Sequence, residues 1–104
     1  MKFVNLTPHD ITVEGVGVFP ASGNIARVET KRVCIGGWGK VRITKQTFGD
    51  VSGVPAPQDG VAYIVSGMVL SALNGSRADV VAPDTGADAV RSNGHIVAVR
   101  GFVN

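Results

Sequence analysis

The sequence predicts an α+β domain that is mainly β: a small barrel- or sandwich-like antiparallel sheet with one short helix at about residues 67–74. Three observations carry that expectation. Strand-length apolar runs recur along the chain with turn residues between them. The 14 glycines and 5 prolines cut the chain into short pieces. The apolar residues, 44% of the total, are mostly Val, Ile, Leu and Ala, a composition that favours pleated, half-buried surfaces.

Taken in order, Lys2 to Leu6 is the first strand, closed by Thr7-Pro8-His9. Ile11 to Glu14 alternates apolar and polar, and Val16 to Phe19 follows Gly15. Pro20 to Gly23 is a turn. Ile25 to Glu29 and Lys40 to Thr44 alternate again, with Gly36-Gly37-Trp38-Gly39 between them as a hairpin tip. Residues 49–60, holding Gly53, Pro55 and Pro57, read as a loop joining two different halves. Val61 to Val65 is an apolar strand that leads into the one helix signal. Met68, Val69, Ala72 and Leu73 recur at helical spacing, Ser66 is a natural N-cap, and Asn74-Gly75 is a C-terminal stop. Asp79 to Ala82 is a strand halted by Pro83. After a turn at Ser92-Asn93-Gly94, Ile96 to Val99 is apolar on both faces and reads as a central, buried strand.

A chain of 104 residues suits one β-rich domain, residues 1–104, and a charged fraction of 17% is too low for disorder. Ten basic residues face eight acidic ones, and the one basic cluster, Arg27, Lys31 and Arg32, contains Glu29. With no basic stripe interleaved with aromatics, no nucleic-acid partner is implied. Cys34 is the single cysteine, so no internal disulfide forms and a reducing compartment is expected. Set between Val33 and Ile35, Cys34 reads as buried packing. Asn5 and Pro8 interrupt the N-terminus before a signal-peptide core could form, and no apolar run has membrane-spanning length. A soluble, cytoplasmic protein without a membrane partner is expected.

The candidate site follows from the second half. If the strands flanking the helix run parallel, the loops Ser66-Gly67 and Pro83-Asp84-Thr85-Gly86 lie together at their carboxyl ends, where ligands sit in open α/β sheets. Backbone N–H groups at Gly67 and Met68 would favour an anion. Arg77 or Arg91 would add a charge-assisted fork, and Asp84 and Thr85 would accept hydroxyl or amino groups. A second account needs no ligand. In it Ser66 caps its helix, Asp84 and Thr85 form an Asx-type turn, and the arginines are solvated or pair with Asp79 and Asp88. His9, His95 and Cys34 have no zinc spacing, and no cofactor fingerprint or nucleophile elbow is present.

Asp84-Thr85-Gly86-Ala87-Asp88 resembles the active-site signature of retroviral-type aspartic proteases, which would make Asp84 half of a carboxylate dyad. In that family the motif lies early in the chain directly after an apolar strand, whereas here Pro83 intervenes and eighteen residues remain after Gly86. A broader likeness covers most of the chain, ending near Val97 to Gly101. Asn5-Leu6-Thr7-Pro8-His9, Pro20 to Val28, Phe48-Gly49, Pro55 to Gln58, Tyr63 to Ser66 and Val81 to Gly86 together resemble a family of small bacteriophage and prophage proteins. The resemblance implies a phage origin and a host-cell cytoplasmic location, with no activity attached. Phage proteins of this size are commonly inhibitors of host defence, sequestering binders of signalling nucleotides, or minor virion components.

The expected function is therefore that of a non-enzymatic phage accessory protein binding a small anionic ligand, such as a nucleotide-derived defence signal, as a homo-oligomer. Ser66, Gly67, Arg77, Asp84, Thr85, Gly86 and Arg91 would hold the ligand, without cofactor, metal or catalytic residue. The alternatives are an inhibitor that docks on a host protein through Trp38, and a minor virion protein. An Asp84 protease comes last.

Overall fold

The computed structural model describes residues 2–104. In chain order the strands are β1 (Lys2–Asn5), β2 (Ile11–Val13), β3 (Gly17–Phe19), β4 (Arg27–Trp38), β5 (Val41–Ser52) and β6 (Val61–Ile64). Helix α1 (Gly67–Leu73) follows, then β7 (Val80–Pro83), β8 (Val90–Ser92), β9 (His95–Ala98) and β10 (Phe102–Val103). The described residues are mainly β with one short helix, as the sequence predicts. The central sheet, in the order β1-β6-β7-β10, is mixed and does not close into a barrel. β1 and β7 both run parallel to β6, and β10 returns antiparallel to β7.

The apolar run Val61 to Val65 makes β6 the centre of this sheet, because a strand buried on both faces needs apolar residues at every position. Tyr63, Ile64 and Val65 are all buried. Tyr63, Val65 and Val80 pack with Leu6 and Ala26 beneath Val69 of α1. The one polar atom of Tyr63 is satisfied, its hydroxyl donating to Ala56 O at 3.3 Å. Ser66 caps α1 by accepting from Val69 N, and Asn74 ends it in a left-handed conformation, φ 50°. Phe3, Phe19 and Phe102 tie β1, β3 and β10 together, with ring centroids 5.2–5.6 Å apart.

β4 and β5 form a ribbon far longer than the strands expected there, 12 residues on each side. Its root is anchored: Ala26, Val28, Val51 and Val54 pack into the core under α1. Gly53 closes that root with φ +83°, and a Cβ there would lie 2.6 Å from Ile25 O, so only glycine fits. Beyond the root the ribbon leaves the body as an arm. It gives the molecule extents of 52 × 38 × 23 Å and a radius of gyration of 16.2 Å, against about 13 Å for a compact chain of this length.

Four expectations change. Residues 49–52 continue β5 instead of opening a loop, because cross-strand pairing carries on to Arg27 and Ser52 past a bulge. The turn falls at Gly39-Lys40, which leaves Trp38 paired with Val41 as the last rung. Cys34 is exposed on the arm, its thiol donating to Gly36 O at 3.4 Å. β9 is no central strand either. It forms a two-stranded hairpin with β8 around Asn93-Gly94, both at positive φ, and leaves Ile96 and Val97 exposed. Of that apolar run only Val99 is buried, held through its N–H to Thr12 O at 2.9 Å.

Candidate functional site

Because β1, β6 and β7 are mutually parallel, the three segments that follow them emerge at one edge of the sheet. Asn5 builds the first of these. It is buried, and its amide uses all four hydrogen-bonding positions. Nδ2 donates to His9 O at 2.8 Å and Phe19 O at 2.9 Å. Oδ1 accepts from Thr7 N at 2.9 Å and Thr7 Oγ1 at 2.7 Å. That folds Thr7-Pro8-His9 into a tight turn beside β2. The second segment is Ser66-Gly67, brought against β7 when Val65 N donates to Val81 O at 2.8 Å. The third follows Pro83, where Asp84 Oδ1 accepts from Gly86 N at 3.1 Å in an Asx-type turn.

Together these enclose a cleft of about 400 Å³. Thr7, Pro8 and His9 form one side, Ser66 and Gly67 another, Pro83 and Thr85 the third, and Ile11 completes the wall. The lining is mostly apolar. Its polar groups are the Ser66 and Thr85 hydroxyls, the His9 imidazole and backbone amides, while the Thr7 hydroxyl is spent inside its own turn. An apolar cleft with a few convergent hydrogen-bonding groups suits an organic ligand carrying a flat or cyclic body.

The expected site residues divide into three groups. Ser66, Gly67 and Thr85 line the cleft. Asp84, Gly86 and Arg91 lie behind it and shape the wall. The Arg91 guanidinium donates to Thr85 O at 3.4 Å, Gly86 O at 3.1 Å, Ala87 O at 3.3 Å and Ala89 O at 3.4 Å. It therefore sets the 85–89 loop and puts one positive charge behind Thr85, with its donors already engaged. Arg77 is elsewhere. It precedes β7 while the cleft follows it, so the length of a four-residue strand, roughly 10 Å, separates them. Arg77 forms a two-point pair with Asp79, Nε to Oδ1 and Nη2 to Oδ2 both at 2.8 Å, and also donates to Pro55 O at 2.8 Å. Hydrogen bonding to that guanidinium holds the Asp79 carboxyl below its usual range and raises Arg77. The Arg77 fork thus locks the 53–60 loop to β7 and contributes nothing to the cleft.

Thr7, Pro8, His9 and Ile11 belong to the cleft and were not expected there. The available signal was an Asn-x-Thr turn directly after a strand; what could not be read was that this strand pairs parallel with β6. Trp38 stands at the end of the arm, 80% exposed and remote from the cleft. No helix among the described residues is long and apolar enough to cross a membrane. No family model, curated protein or solved structure matches this chain.

Proposed function

We propose that the chain is a binding protein that holds a small organic anion, such as a nucleotide, in the cleft between the Thr7-His9, Ser66-Gly67 and Pro83-Thr85 segments without transforming it. The observation that carries the reading is the convergence of all three parallel-strand ends on one apolar cleft, the position ligands take in parallel sheets. The Gly67 amide, the Ser66 and Thr85 hydroxyls and His9 supply donors for an anionic group, and the Arg91 charge behind Thr85 favours that sign. Pro8, Ile11 and Pro83 supply flat apolar surface for a ring. Sequestration by a phage accessory protein is the role that this reading and the likeness to small phage proteins support together.

Titration calorimetry with a panel of linear and cyclic nucleotides tests it. One member binds, Thr85→Val and Gly67→Val each weaken it at least tenfold, and Arg77→Ala leaves affinity unchanged. Absence of heat with every member removes the reading.

A further inference from the structure

The ribbon has two unlike faces. Cross-strand partners share a face and alternate residues switch. On one face lie the pairs Arg32–Gln46, Cys34–Thr44 and Gly37–Arg42. The other carries Val33–Lys45, Gly36–Ile43 and Trp38–Val41, with Ile35 added by the bulge that sets two β4 residues against Ile43. The distal half of the arm is thus amphipathic, like a strand pair lying over a core, yet none of the described residues covers it. Val33, Ile35, Trp38 and Val41 are 55–80% exposed.

We infer that this face is the contact through which two copies of the chain associate, arm against arm across a two-fold axis. The inference is independent of the cleft. The bare apolar side chains amount to on the order of 500 Å² per chain, as much as a monomer tolerates in one patch. Two such faces together remove about 1,000 Å², the area at which specific interfaces begin. An uncovered two-stranded ribbon is also marginal by itself. The face is self-complementary: Ile35 and Ile43 lie at its middle, with Trp38–Val41 toward the tip and Val33–Lys45 toward the root. An axis through the middle lays each Trp38 on the other copy's Val33 and Lys45, an indole beneath an ammonium. Arg32 and Arg42 point away from the contact, so their charges stay hydrated. A nucleic acid would also answer the cations Lys31, Arg32, Lys40, Arg42 and Lys45 that the ribbon gathers. It would leave Val33, Ile35 and Val41 bare, and the apolar face therefore favours a second copy.

The single tryptophan reports directly. Sedimentation equilibrium and intrinsic fluorescence are measured on the unliganded chain from about 1 to about 200 µM, the range in which mass action separates modest dimers. The expected result is a mass that rises from one chain to two, with Trp38 emission shifting to the blue along the same curve. Ile35→Asp and, separately, Val41→Asp weaken association at least a hundredfold with unchanged circular dichroism, while Arg42→Ala on the opposite face does not. A wild-type chain that stays single, or a dimer that survives both aspartates with Trp38 still solvated, overturns the inference. So does a single chain that binds a duplex oligonucleotide with steep salt dependence, which would assign the arm to nucleic acid instead.

Discussion

In the central sheet Tyr63, Val65 and Val80 are 0–2% exposed, whereas on the arm Val33, Ile35 and Val41 are 55–61% exposed. Residue types and strand propensity are alike in the two regions. The body buries its apolar residues because α1 crosses over β6 and β7 and because the roots of β4 and β5 close the gap beneath it. The arm runs past the last element that could cover it. Alternation therefore reports that a strand has a face to be covered, and leaves open what covers it.

The comparison can be broken most forcefully by truncating equivalent side chains. Leu6→Ala, in the body, is expected to cost about 3 kcal/mol, while Ile35→Ala on the arm costs less than about 0.5 kcal/mol, both from urea unfolding at low concentration. Equal costs would mean that the arm is packed in the single chain. Asn5→Ala is next, at roughly 2 kcal/mol, because it removes the side-chain partners of Thr7 N and Phe19 O and leaves the Thr7 hydroxyl and His9 O only each other. Its loss should also open the cleft, seen as altered amide shifts at Thr7 and His9. Ser66→Ala removes the acceptor for Val69 N and is expected to cost about 1 kcal/mol, with Ser66→Asp restoring most of it.

The smallest effect is linked to pH. The Asp79 carboxyl is held below its ordinary value of 3.8 by the Arg77 hydrogen bonds. A depressed carboxyl binds its proton more weakly folded than unfolded, so its contribution is present above that ordinary value and is lost as acid titrates the folded group below it. Both side chains are about one-fifth exposed, which limits the contribution to less than about 1 kcal/mol. Asp79→Asn should lower the melting temperature slightly near neutral pH and flatten its fall in acid. An unchanged acid slope would show that the pair does not form in solution.

Local features were readable where the physics is local. Ser66, the Met68-Val69 and Ala72-Leu73 spacing and Asn74-Gly75 specify α1 within a residue at its end, since caps and periodicity act inside one turn. Asn93-Gly94 likewise marked the β8–β9 turn. Half of the cleft was readable too, because Ser66-Gly67 and Pro83-Thr85 flank a helical crossover just long enough to join parallel strands, which would bring both loops to one edge. The other half, Thr7 to His9, depended on β1 joining β6 from far away in the chain. Arg77 was misplaced for a different reason: it precedes β7 and so lies at the opposite end from Pro83, and its pairing with Asp79, two residues away, is the ligand-free account the sequence also offered.

The chain alone determined its class, its punctuation and its one helix, because those rest on backbone preferences and side-chain volume within a few residues. Tertiary structure decided that β9 is exposed although apolar, that Cys34 is bare, and that three distant turns meet at one edge. It also decided that the ribbon stands free. Each of those depends on which strand becomes whose neighbour, a choice made by the packing of the whole chain and not by the residues of any one strand.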